Sequence, residues 1–402
     1  MKIPFSPPYI DEDVISEVVD SLKSGWITTG PKVRDLEKEV AKLSGVEYVA
    51  CINSWTSGAT LILKWFNIGP GDEVILPAYT YAATALVVLH AGAKPVMVDV
   101  NDDFTINSDE VAKAITAKTK AIFSVDFAGY PCNYDQLNAV IESKKELFQA
   151  NSDEQNKLNR ILLISDAAHS IGAKVQGKPV AVFSDICIYS FHAVKNLTTA
   201  EGGAICVNLP QPFNQEEEYK WLKLNSLNGQ TKDAFAKSQA GSWRYDIVSQ
   251  GLKINMPDIS AAIGLAQLRK YDGTLLPKRR EIYKLYNSKF GKYDWFQSPP
   301  FDEDNRSTSA HLFPLRIKGI TEEMRDEIIQ LISKKDISVN VHFIPLPMLS
   351  LFKNKGYNIK AYPRTYNNYS REISLPIYPQ LGEKEVDFIV ETIVESVNKV
   401  IK

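Results

Sequence analysis

Lys195 stands between two short apolar runs, Ile186 to Tyr189 and Ala204 to Val207, and its near neighbours Phe191, Ala193, Val194 and Leu197 are apolar or small. Each run reads as a buried strand, so the connection between them passes over strand ends, which is where α/β sheets bind ligands. An ammonium partly withdrawn from water gives up its proton more readily, and an amine that forms a Schiff base must be neutral to attack. The pair Gly202-Gly203 lets backbone pass close to a bound group. A lysine on a solvated surface loop is the competing reading.

Upstream, the aliphatic run Ile161 to Ile164 leads through Ser165 into Asp166, which places a carboxylate at the carboxyl end of a second buried strand. Such a charge is costly unless a cation meets it, and a protonated pyridine nitrogen is one such cation. Pyridoxal phosphate uses an aspartate to keep its ring protonated and a lysine to hold its aldehyde, so Asp166 and Lys195 could supply both. His169 is placed either over the ring or on its phenolic oxygen, with a core histidine satisfied by backbone as the alternative. Thr56, Ser57 and Gly58 open an expected helix, Ala59 to Phe66, where N–H groups and hydroxyls suit the cofactor phosphate. Plain N-capping is the alternative there.

Several further motifs occur in order: Ser24 to Pro31, Gly71 to Pro77, Gly92 to Val96, Asp166 to Gly172, Ser190 to Gly203, Asn255 to Ile259 and Ser374 to Pro379. Together they resemble the DegT/DnrJ/EryC1/StrS family of pyridoxal-phosphate sugar aminotransferases. The resemblance spans nearly the whole chain. It implies an α/β protein of the type I pyridoxal-phosphate transferase fold. A large domain would hold a mostly parallel sheet of the seven-stranded type flanked by helices, and a smaller α/β domain would follow. It also implies that Tyr81 stacks on the cofactor ring and that Ser190 bonds the phosphate. Asn255 would reach the cofactor of a neighbouring subunit, and Thr29 and His342 would face the sugar nucleotide. Each of these has a structural alternative: a packed tyrosine, a buried serine, a strand histidine. Family members carry a small residue before Thr56, whereas this chain has Trp55, which leaves the shape of the phosphate loop open.

The 402 residues suffice for a large core and a second domain, and 44% hydrophobic with 23% charged residues is ordinary for a globular protein. A net charge of −2 gives no sign of a nucleic-acid or membrane-surface partner. Met1 to Pro8 has no apolar signal core and no apolar run is long enough to span a bilayer, so the expected location is the cytoplasm. Cys51, Cys132, Cys187 and Cys206 form no Cys-x-x-Cys pair and read as buried free thiols.

Apolar residues at helical spacing predict helices over 11–23, 33–43, 109–115, 216–223, 259–268, 322–332 and 383–401, with a charged connector helix reaching about Tyr286. Strands are expected at 48–52, 73–76, 94–100, 121–125, 311–317 and 337–343, and the alternation with helices predicts a mostly parallel sheet. The charged stretch 143–160 reads as a solvated helix and loop, and 211–239 as polar. Residues 1–260 are expected to form the large domain and 261–402 the connector and small domain.

The resemblance implies transfer of an amino group from L-glutamate to the keto group of a nucleoside-diphosphate sugar in a homodimer with shared sites. The form Ser190-Phe191-His192-Ala193-x-Lys195, followed by Thr199-Ala200-Glu201-Gly202-Gly203, resembles members that act on 4-keto sugars. Members acting on 3-keto sugars are the alternative. Sugar dehydratases of the superfamily have histidine at the lysine position, against which Lys195 argues. A silent binding protein on the same fold is a further possibility. No metal site is expected.

Overall fold

The computed structural model describes residues 1–232 and 243–401; the part of the polar stretch from 233 onward lies outside them. The centre is a seven-stranded sheet built from β1 (Tyr48–Ile52), β2 (Glu73–Pro77), β3 (Lys94–Val98), β4 (Thr119–Val125), β5 (Leu162–Asp166), β6 (Ile186–Ser190) and β7 (Gly203–Val207). Its order is β1-β7-β6-β5-β4-β2-β3. The neighbours from β6 to β3 pair in parallel, while β7 runs antiparallel to both β1 and β6. An antiparallel neighbour needs no helical crossover. The link from β6 to β7 can therefore stay at the carboxyl end of the sheet, and it carries Lys195.

The helices that cover the sheet include α1 (Glu12–Ser24), α2 (Pro31–Ser44), α3 (Trp55–Trp65), α4 (Ala82–His90), α5 (Ser108–Ala114), α6 (Tyr134–Ser143), α7 (Asp153–Leu158), α8 (Gln215–Asn225) and α9 (Asp258–Leu268). β4 is buried along its whole length, as expected where helices cover both faces. In α1 the apolar stripe points mostly away from the core: Val14 is buried, but Ile15, Val19 and Leu22 are exposed.

A π-helical turn at Tyr271–Leu275 leads into α10 (Leu276–Phe290), the charged connector helix that the sequence predicts to about Tyr286. A second sheet follows, β8 (Phe296–Gln297), β9 (Phe313–Ile317) and β10 (Glu372–Leu375), backed by α11 (Glu322–Ser333) and α12 (Glu383–Val400). These elements share an apolar core that also takes in Ile3 from the amino terminus.

Three expectations need correction. Residues 337–343 form no strand, because only Ile337 and Asn340 find isolated bridge partners, in Ile3 and Ser374. The strand expected from His311 begins at Phe313, since His311 turns inward to a side-chain partner, Asn196. The stretch 143–160 is not wholly solvated: Gln155 and Leu158 of α7 are buried, and Gln155 Nε2 donates to the Phe66 carbonyl at 2.7 Å.

Candidate active site

A cavity of about 490 Å³ opens at the carboxyl ends of β4, β5 and β6 and is lined by Asp166, His169, Ser190 and Lys195 together with residues from α3, α4 and the 311–343 region. The loop that carries Lys195 is pinned from within. Phe191 and Leu197 are fully buried, the Phe191 N–H donates to the Gly202 carbonyl, and the Thr199 N–H donates to the Phe191 carbonyl, both at 2.9 Å. Asn196 ties the loop to the 309–311 segment by donating from Nδ2 to the Ser309 carbonyl at 2.8 Å.

Lys195 has lost enough water that its ammonium is pushed down to about 8, against the pull of Asp166. Roughly a fifth is therefore neutral near physiological pH, far more than for an ordinary lysine, and that is the state a nucleophilic amine needs. Asp166 is pushed up to about 6 by burial, opposed first by the hydrogen bond from Thr84. Thr84 Oγ1 donates to Oδ2 at 2.8 Å and the Ala168 N–H donates to Oδ1 at 3.3 Å. Among the described residues no cation forms an ion pair with Asp166, although it is 6% exposed at the cavity wall. A buried carboxylate with hydroxyl and N–H donors but no paired cation fits a protonated ring nitrogen, so the residues present suit pyridoxal phosphate.

His169 Nδ1 accepts from the Ala128 N–H at 3.3 Å, which leaves the ring proton on Nε2. Burial pushes this imidazole well down, so it is neutral. Its ring lies 4.3 Å from that of His311, another cavity residue. Tyr81 occupies the position before α4, lines the cavity and is 63% exposed, its ring 5.7 Å from that of Phe343.

The phosphate end differs from expectation in detail. Helix α3 begins at Trp55 and not at Ala59, because Ser54 is extended and its side chain caps the helix by accepting from the Ser57 N–H at 3.1 Å. Thr56 lines the cavity, whereas Ser57 Oγ lies against Ser54 Oγ at 2.8 Å. Trp55 is buried with its indole N–H unpartnered. Ser190, at the end of β6, also lines the cavity.

Besides Ser57, two more expected residues stay outside it. Asn255 Nδ2 donates to Thr29 Oγ1 at 2.6 Å, and neither side chain lines the cavity. His342 does line it, with its ring stacked on Phe5 at 5.4 Å.

Thr84, His311, Phe5 and Ser54 are site residues that the sequence reading gives no role. Ser54 has a signal, a small polar residue three before Ser57 at a helix start. For the others the sequence carries none. Among the described residues no group of acidic, cysteine or histidine side chains is arranged to hold a metal ion.

An α/β sheet with a lysine and an unpaired aspartate at its carboxyl edge fits a pyridoxal-phosphate-dependent enzyme. Residues 8–394 match the sequence profile of the DegT/DnrJ/EryC1/StrS aminotransferase family, and the chain belongs to that family. Among curated proteins it is 34% identical over 400 residues to the spore coat polysaccharide biosynthesis protein SpsC of Bacillus subtilis, covering 97% of this chain and 96% of SpsC. Among solved structures it superimposes with a TM-score of 0.95 on the PLP form of Spr1654 of Streptococcus pneumoniae, assigned as a sugar aminotransferase, at 43% identity with 100% of both chains covered. It matches Helicobacter pylori PseC, an aminotransferase involved in pseudoaminic acid biosynthesis, at a TM-score of 0.86 and 25% identity over 99% of this chain and 100% of PseC.

Proposed function

We propose that the protein moves the amino group of L-glutamate onto the C4 keto group of a nucleoside-diphosphate 6-deoxy sugar, in the cytoplasm, on a route to a bacterial surface polysaccharide or glycan. The unpaired Asp166 facing a lysine held near neutrality is the observation that carries the aminotransferase part. The names of SpsC, Spr1654 and PseC support a sugar as the acceptor. The 4-keto preference rests on the residues around Lys195.

Bound here, pyridoxal phosphate supplies an electron-withdrawing ring that accepts the electron pair released at the donor's α-carbon. Asp166 keeps a proton on the ring nitrogen, and Thr84 and Ala168 hold its carboxylate in register. Lys195 is the residue that would hold the cofactor's aldehyde end, and as a neutral amine it would take up the proton from the donor's α-carbon. Thr56, Ser57 and Ser190 hold the phosphate. His169 and Tyr81, both in the cavity lining, would steady the cofactor ring. Asn255, displaced from its own cavity, would complete the phosphate site of the partner subunit, with Thr29 holding its amide. His342 would face the sugar nucleotide in this cavity, and Thr29 would do so in the partner's.

A homodimer is supported by the exposed apolar residues Ile10, Ile15, Val19, Leu22 and Ile27, which all lie in the amino-terminal segment. Among the described residues no helix is long and apolar enough to cross a membrane. The experiment is to supply L-glutamate with a panel of nucleotide 4-keto and 3-keto sugars and identify products by mass and by NMR of the new C–N position. Amination of a 4-keto sugar is expected. Amination of 3-keto sugars alone would reject the C4 assignment.

A further inference from the structure

Glu372 of β10 is fully buried, yet among the described residues no cation forms an ion pair with it. The two nearby guanidiniums are engaged elsewhere: Arg325 Nη1 donates to the Tyr369 and Glu372 carbonyls at 2.8 and 3.3 Å, and Arg316 Nη1 donates to Asn368 Oδ1 at 2.8 Å. The Glu372 carboxyl instead makes two hydrogen bonds toward the cavity side. Its Oε2 accepts the His342 backbone N–H at 3.1 Å, and its Oε1 meets the Ser374 hydroxyl. Ser374 Oγ lies 2.9 Å from His342 Nδ1. The three side chains form one chain, carboxyl to hydroxyl to imidazole, that ends at the cavity.

Its direction is set by Glu372, a fully buried carboxyl with no ion pair among the described residues and therefore costly to ionise. Burial pushes the Glu372 carboxyl up to about 8, so near neutrality it is the acid. With Oε2 accepting an N–H, the acid proton lies on Oε1 and points to Ser374 Oγ. The serine hydrogen then points to His342 Nδ1, and burial keeps the imidazole neutral by pushing it down to about 3. The one ring proton left is on Nε2.

We infer that Glu372 and Ser374 are positioning residues that fix His342 as its Nε2–H tautomer, so that the cavity meets a hydrogen-bond donor fitted to an oxygen of the sugar-nucleotide substrate. The substrate half of this inference rests on the proposed function; the tautomer does not.

The test uses the holoenzyme with ¹⁵N-labelled histidine. The chain has 5 histidines, so His342 is assigned by its loss in His342→Asn. A pyridine-type Nδ1 and a pyrrole-type Nε2 are expected in the wild type. The same pattern is expected in Glu372→Gln, whose amide NH₂ donates to Ser374 while its carbonyl accepts from the His342 N–H. Ser374→Ala should release the ring into mixed tautomers and raise the KM for the acceptor sugar about tenfold, the loss of one hydrogen bond, with a smaller change in kcat. Ser374→Thr, which keeps the hydroxyl, should restore both. A pyrrole-type Nδ1 in the wild type, or an unaltered tautomer in Ser374→Ala, overturns the inference. Because the spectrum needs no substrate, a protein that shows these tautomers yet aminates no sugar nucleotide upholds the relay and overturns only the substrate reading.

Discussion

At the scale of single residues, the chemistry depends on two charges that water does not fully screen. Replacing Lys195 by Ala should lower turnover by roughly 10²–10⁴-fold, the usual contribution of a positioned base, while some cofactor is still held; wild-type turnover would refute the role. The cofactor-free protein should take up pyridoxal phosphate at a rate that rises with pH and levels above about 8, as Lys195 becomes neutral. A rate still climbing at about pH 10, the ordinary lysine range, would contradict this. Asp166 gives a stability prediction of opposite sense to the usual paired carboxylate. Its folded value, about 6, lies above the unfolded one, so the folded state binds more protons in between. Its contribution is therefore a penalty that grows as pH rises through about 6. Cofactor-free Asp166→Asn should be more stable than wild type at pH 8, by up to roughly 3 kcal/mol, with the gap closing toward pH 4 in urea denaturation. The same variant should lose most activity. Lys195 and Asp166 are legible in the sequence because a lone charge beside apolar strands needs a reason. Thr84 and His311 are not, since a threonine in an alanine-rich helix or a histidine before a strand has many uses.

At the scale of elements, two joints set the geometry. Gly203 begins β7 where an added Cβ would stand 2.7 Å from the Tyr189 carbonyl and 2.9 Å from the Trp55 nitrogen, both backbone atoms that cannot swing aside. Gly203→Ala should cost roughly 1–3 kcal/mol, measured as a lower urea midpoint; an unchanged midpoint would show that β6 and the start of α3 can spread apart. Ser54→Ala removes the cap of α3 and should cost about 1 kcal/mol. The long periodic helices and the parallel strands were readable because their patterns repeat over several turns or lie in unbroken aliphatic runs. The start of α3 was not, because the bulky Trp55 hides a cap one residue earlier. Nor was the irregular course of 337–343, whose alternating apolar residues meet side chains and no neighbouring ladder. The strand β10 was recognised as a motif but not as a strand, since Pro376 directly after it cuts the pattern short.

At the scale of the whole molecule, one protomer supplies the lysine, the aspartate and the cavity, while Asn255 and Thr29 bond each other outside it. We propose that the chain divides near residue 260 into a large unit carrying this cavity and a smaller one reached through α10. If sites are shared between protomers, Lys195→Ala and Asn255→Ala proteins, each nearly inactive, should regain up to roughly a quarter of wild-type activity when mixed and allowed to exchange subunits. A fully active monomer would contradict the shared site. The central claim is that this cavity binds pyridoxal phosphate through Lys195 and shuttles an amino group, and the most direct measurement is the absorption spectrum of the protein loaded with that cofactor. L-glutamate should bleach the band of the lysine-bound cofactor, and one nucleotide keto-sugar should restore it. A wild-type protein that forms no such band, or forms it equally well as Lys195→Ala, would contradict it.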